Sequence, residues 1–135
     1  MQGACELAGY GERAELRPEL REWDYGDFEG KTGAELRARR PGWSLWEHGV
    51  EGGETLAQVA ARADAVIAEA RALQQDLLLF SHGHLLRVLA ARWLGLPARS
   101  GGLLALGTAS VSVLGWDARG EGPLLECWND TTHWR

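Results

Sequence analysis

Apolar positions follow two rhythms along this chain, and the changes of rhythm place its elements. Leu56, Val59, Ala60, Ala63, Val66, Ile67 and Ala70 recur at the 3.6-residue period of one helix face. Thr55 and Gln58 stand before that stripe with the spacing of a capping box, so the pattern predicts a long helix from Leu56. Thr32 and Glu35 repeat the signal for a short helix through Arg39, which Pro41 forbids from continuing. The uninterrupted apolar run that begins at Leu77 and ends at Ser81 predicts a strand buried on both faces of a parallel sheet. At His84 the period returns to helix, with Leu85, Leu86, Leu89, Ala90, Trp93 and Leu94 inward and a stop at Gly95 and Pro97. Farther on, Val111 and Val113 alternate with Ser110 and Ser112, and Leu124 to Trp128 follows the turn residues Gly120 to Pro123. These two runs predict a strand pair at a sheet edge, and the alternation of strand and helix makes the chain an α/β sandwich.

The remaining segments carry weaker patterns. Ala4, Leu7 and Ala8 have helical spacing and meet Gly9 and Gly11, as the last turns of a helix would. Glu12 to Leu20 predicts a short edge strand interrupted by Pro18. Gly42 to Gly53 is a tryptophan-bearing connection with one helical turn from Ser44, a lid or rim in which His48 is an exposed polar residue.

Composition narrows the classes of function. A chain of 135 residues with 45% hydrophobic content is one domain with a real core. Its net charge of −5, with Arg37, Arg39 and Arg40 the one basic group, argues against nucleic acid and against an anionic membrane as partners. No apolar run approaches the roughly 20 residues of a membrane span, and the N-terminus lacks the regions of a signal peptide, so a cytoplasmic chain is expected. Cys5 and Cys127 lie far apart without metal-ligand spacing and read as free thiols.

Two stretches carry chemistry. In Asp76 to Arg87, DLLLFSHGHLLR, His82 stands at the carboxyl end of the expected strand, where backbone N–H groups and the dipole of the next helix favour an anion. In Arg21 to Lys31, REWDYGDFEGK, Glu22 or Asp24 could serve as a general acid or base held by Trp23, Tyr25 and Phe28; burial against aromatics would keep a carboxyl group protonated. The same composition also describes a solvated acidic loop whose aromatics plug the core. A metal site built on His82 and His84 with His133 or Glu22 is the weaker reading, because Gly83 breaks the strand between the two imidazoles.

LREWDYGDFEGKT, GGET, LLLFSHGHLLRVLAARWLGLP and CWN occur in this order from Leu20 to Asn129, and together they resemble the histidine phosphatase superfamily, most closely its small bacterial phosphatase branch. The resemblance implies a phosphoglycerate mutase-like three-layer sandwich, a mostly parallel sheet with helices on both faces. It implies phosphoryl transfer through a phosphohistidine, in which one histidine attacks phosphorus, a carboxylic acid protonates the leaving oxygen, and water cleaves the intermediate. Glu22 then matches the proton donor and His82 the second core histidine that holds phosphoryl oxygens. Tyr25, Gly83 and His84 fall where relatives contact substrate. The implied ligand is a small phosphorylated metabolite or inorganic phosphate, with no metal and no cofactor.

The sequence departs from the family at one point. The nucleophile of the family lies in an Arg-His-Gly motif, and here the His-Gly pairs are His48-Gly49 and His82-Gly83, preceded by Glu47 and Ser81. The expectation is a single domain over residues 1–135 that lacks the family's N-terminal strand and helix and is inactive or nearly so alone. The alternative is a non-catalytic anion-binding or interaction module derived from the same fold. An uncovered sheet edge would let two copies pair as a homodimer.

Overall fold

The computed structural model describes residues 2–134. Helices α1 (Gln2–Leu7), α2 (Gly33–Arg39), α3 (Leu45–His48), α4 (Leu56–Leu73) and α5 (Gly83–Trp93) precede strands β1 (Val111–Trp116) and β2 (Pro123–Asp130), with short 3-10 turns between them. The core is the seam between α4 and α5. The apolar stripe of α4 buries Val59, Ala63, Val66 and Ile67 against Leu85, Val88 and Leu89 of α5, and Trp23, Leu36, Trp43 and Leu45 close one side of this cluster. Fully burying side chains of this size stabilises by about 1.5–3 kcal/mol each.

Local sequence accounts for where the helices begin. Thr32 and Glu35 form a complete capping box on α2, and Thr55 and Gln58 form another on α4. Ser44 caps α3 by accepting the Trp46 N–H at 3.3 Å, as the tryptophan-rich connection led us to expect. Helix α4 stops where Gln74 turns left-handed (φ 48°).

β1 and β2 form an antiparallel hairpin, with Val113 opposite Cys127 and Trp116 opposite Pro123 and an irregular register near Val113. The hairpin is pinned to the helices by aromatic contacts. Trp93 donates its indole N–H to the Gly115 carbonyl at 3.0 Å, and the Arg71 guanidinium lies over both Trp93 (5.1 Å) and Trp116 (4.9 Å).

Three expectations differ from the structure. The run Leu77–Ser81 forms no ladder with any described strand, and Leu77 and Leu78 are exposed. An apolar run becomes a buried strand only when neighbours supply hydrogen bonds and cover, and this one passes from α4 to α5 without them. Consequently the sheet among the described residues is two-stranded and antiparallel where a mostly parallel one was expected, although the α/β class holds. Glu12–Leu20 is no edge strand either: it contains 3-10 turns at Gly11–Arg13 and Pro18–Leu20, the second with Pro18 in the first turn, where its missing N–H costs nothing. Cys5 and Cys127 are both free thiols. No helix among the described residues is long and apolar enough to cross a membrane.

Candidate active site

The site is assembled from a loop, a second loop braced against it, and one helix end. Residues 24–27 and 51–54 lie backbone to backbone, with the Asp27 N–H donating to the Glu51 carbonyl and the Glu54 N–H to the Asp24 carbonyl, both at 2.9 Å. Gly26 (φ 49°) and Gly53 make this approach feasible, because a Cβ at either position would fall inside the backbone of the opposite loop.

Glu54 and Arg62 lock the assembly to α4. The Arg62 guanidinium donates to both Glu54 oxygens (2.9 and 2.8 Å) and to the backbone carbonyls of Glu19 (2.6 Å), Arg21 (3.0 Å) and Glu22 (3.4 Å). Burial would raise the Glu54 carboxyl pKa, but donors from Arg62, the Asp24 N–H and Arg21 outweigh it and leave the group below its usual range. Trp23, fully buried, donates its indole N–H to the Glu54 carbonyl at 2.8 Å. Arg62 of α4 thereby fixes the carbonyls of Glu19, Arg21 and Glu22, and Glu54 fixes Trp23 and Asp24.

That fixing places Glu22 on the N-terminus of α5. Its oxygens accept the backbone N–H groups of His84 (3.2 Å) and Leu85 (3.0 Å), in addition to that of Trp23 (3.0 Å). Such N–H groups have no partner within a helix, and a carboxylate satisfies them. The expectation that Trp23, Tyr25 and Phe28 would hold Glu22 stands in part: the Trp23 N–H donates to its carboxylate together with the α5 N–H groups and the Tyr25 hydroxyl lies beside it, whereas Phe28 packs on Trp43. Asp24, the other acid considered, accepts the Gly26 N–H at 2.9 Å and closes the turn.

Tyr25, His82, Gly83 and His84 all come to the same helix end. His82 is the N-cap residue of α5, its side chain making no capping bond, and Gly83 is exposed at the first helical position with an N–H that the helix cannot satisfy. A 2.6 Å hydrogen bond links Tyr25 Oη and His84 Nδ1, and Glu22 Oε2 is 3.9 Å from that nitrogen. Burial pulls the His84 pKa down while the Glu22 charge pulls it up, leaving it lowered, so the ring is neutral near pH 7. Burial and the Glu22 charge push the Tyr25 hydroxyl above its ordinary range, and it stays protonated. The chemistry available at this helix end is the Glu22 carboxylate, the unengaged His82 imidazole and the Gly83 N–H, the His84 and Leu85 N–H groups being taken by Glu22; the free donors suit an anion and the carboxylate suits proton transfer.

His48 is not part of this constellation; its Nδ1 accepts the Ser44 N–H at 3.1 Å within its own turn. Among the described residues no three His, Cys, Asp or Glu side chains are grouped to hold a metal ion. Sequence reasoning missed Glu54 and Arg62 as site-building residues. Their signal was the Glu directly before a capped helix with an Arg two turns on, but the carbonyls that Arg62 grips are about 40 residues away in sequence.

Comparison with known proteins identifies relatives of this chain. An acid phosphatase of Mycobacterium tuberculosis is 42% identical over 100 residues, 73% of this chain and 49% of its own length. A glucosyl-3-phosphoglycerate phosphatase of Mycolicibacterium vanbaalenii is 32% identical over 127 residues, covering 83% of this chain and 56% of its own. Among solved structures, an open reading frame product of Mycobacterium tuberculosis superposes with a TM-score of 0.86 at 37% identity, over 93% of this chain and 64% of that one. The chain thus spans about half the length of these curated relatives. The profile of the histidine phosphatase superfamily (branch 1) matches residues 1–131. With Glu22 and His82 gathered at the start of α5 and this match running almost end to end, the chain belongs to the histidine phosphatase superfamily.

Proposed function

We propose that these residues supply the acid-donating and phosphate-holding part of a phosphomonoester hydrolase that works through a phosphohistidine. The observation that carries the reading is the seat of the Glu22 carboxyl group on the His84 and Leu85 N–H groups, at the helix end where His82 is the N-cap. The substrate is a small phosphorylated metabolite, a class supported by relatives named as phosphatases.

A phosphoryl group here meets the His82 imidazole and the Gly83 N–H, donors aimed at oxygens that gain charge during transfer. A histidine nitrogen attacks phosphorus while the bond to the leaving oxygen breaks; Glu22, a carboxylate in the resting site that takes up a proton from water when the phosphoryl charge comes beside it, gives that proton to the leaving oxygen. In the second step Glu22, now a carboxylate, takes a proton from water; the water oxygen attacks phosphorus, the P–N bond breaks, and inorganic phosphate leaves. Tyr25 and His84 hold one another beside the acid and contact the substrate. The attacking histidine of the family belongs to an Arg-His-Gly motif that this sequence does not contain, so the chain alone binds phosphate without turning over esters.

Two measurements on the purified chain test this. Inorganic phosphate should bind the wild type, and His82→Ala should abolish the binding; p-nitrophenyl phosphate should not be hydrolysed above buffer. Absence of phosphate binding would overturn the assignment of the site. Hydrolysis that disappears in both His82→Ala and Glu22→Gln would overturn the claim of inactivity.

A further inference from the structure

We infer that the cavity beside His84 receives the leaving alcohol of the phosphomonoester and selects for alcohols bearing a flat apolar ring; the inference rests on Glu22 being the proton donor. The cavity has a volume of about 460 Å³. Ligand pockets run from about 300 to about 1,000 Å³, so a ring system fits. Phe28, Trp43 and Trp46 wall it, and Tyr25 and His84 belong both to it and to the acid site.

A general acid must stand within hydrogen-bond reach of the oxygen it protonates. The rest of the alcohol then occupies the space that adjoins Glu22 through His84, and that space is this cavity. Its aromatic walls are held by their own contacts. Trp43 donates its indole N–H to the Gly49 carbonyl at 3.3 Å, Phe28 meets Trp43 edge-on at 5.6 Å, and Trp46 lies under the Arg87 guanidinium at 4.7 Å and edge-on to Trp23 at 5.9 Å. Arg87 is held in turn by the Gly101 and Gly102 carbonyls. Rings fixed in this way gain contact with a flat ligand without a further ordering cost. Lys31 and Arg37 outnumber Glu29 among the charged lining residues, so an anionic substituent on the ring is tolerated as well.

Calorimetric titration of the whole chain with inorganic phosphate, glycerol phosphate, naphthyl phosphate and naphthol tests the inference. Trp46→Leu shortens one wall, and Arg37→Trp fills the cavity from an exposed position on α2, leaving the buried side chains where they are. Naphthyl phosphate should bind about tenfold more tightly than glycerol phosphate, and both variants should bring the two within about twofold while leaving inorganic phosphate unchanged. Equal affinities in the wild type, or a preference that survives both variants, would overturn the inference with the phosphate site intact. Naphthol binding that Arg37→Trp removes, in a chain that binds no phosphate, would overturn the phosphatase reading and with it the leaving-group role.

Discussion

Replacing Arg62 by Met should be among the most damaging single changes outside the apolar core. The Arg62 and Glu54 side chains are 14% and 11% exposed, so solvent screens their pairing little. Arg62→Met leaves the Glu54 carboxylate with the Asp24 N–H and the largely exposed Arg21, and it releases the backbone carbonyls of Glu19, Arg21 and Glu22. Breaking such a pair from one side costs about 3–5 kcal/mol. Against a total stability of about 5–15 kcal/mol, this is a large share. Glu54→Gln should cost less, about 1–3 kcal/mol, because Arg62 keeps its carbonyl acceptors and the amide oxygen still accepts. The double variant should cost less than the two singles added, since no buried charge is then stranded on the carboxyl side. Urea unfolding followed by tryptophan fluorescence and by circular dichroism measures all three, with an unchanged slope confirming that stability alone has moved. An Arg62→Met penalty under about 1 kcal/mol, the size of a surface pair, would refute the reasoning. So would a Glu54→Gln penalty that exceeds it.

Other outcomes follow from the same geometry. Because the Glu54 pKa is depressed on folding, its contribution is complete above the ordinary carboxyl range near pH 4.5 and is lost as pH falls below it; urea midpoints taken from neutral to acid pH should decline there, and less so in Glu54→Gln. The His84 ring should titrate below the ordinary 6.5 in NMR, and lower still in Glu22→Gln, since the Glu22 charge is what pulls its pKa upward; an upward shift in that variant would contradict the placement. Gly53→Ala should destabilise by more than about 1 kcal/mol, because its Cβ would press on the backbone of the acidic loop; an urea midpoint equal to wild type would show that the loops are not so closely packed. Thr55→Ala should cost about 1 kcal/mol through loss of the α4 cap, again read from the urea midpoint.

What could be read from the sequence was local. The α4 stripe with Thr55 and Gln58, and the α2 box with Thr32 and Glu35, each carry period and cap within a few residues, and both helices stand where those signals put them. The β1–β2 hairpin was equally legible, since alternation and turn residues also act at short range. Leu77–Ser81 was misjudged because an apolar run reports what a segment would bury and nothing about what lies beside it. Glu12–Leu20 failed through Pro18, which suits the first turn of a helix as well as an edge strand. At the site, Glu22, Tyr25, His82, Gly83 and His84 come together at one helix end. The Arg62 grip on the acidic loop and the cavity walled by Phe28, Trp43 and Trp46 were hidden, because both depend on loops that meet only after folding.

The segment between α4 and α5 also sets how the protein behaves in concentrated solution. Leu77 and Leu78 are 42% and 58% exposed beside Leu79 and Phe80, in a stretch with strong strand propensity and one charge, Asp76, at its edge. Sticky stretches of this kind nucleate disordered self-association, and a flanking charge is the usual gatekeeper against it. Association through these leucines is the expected outcome: turbidity should rise with concentration and with salt that screens the chain's charge, and Leu78→Lys should clear it without touching the helix end that carries the chemistry.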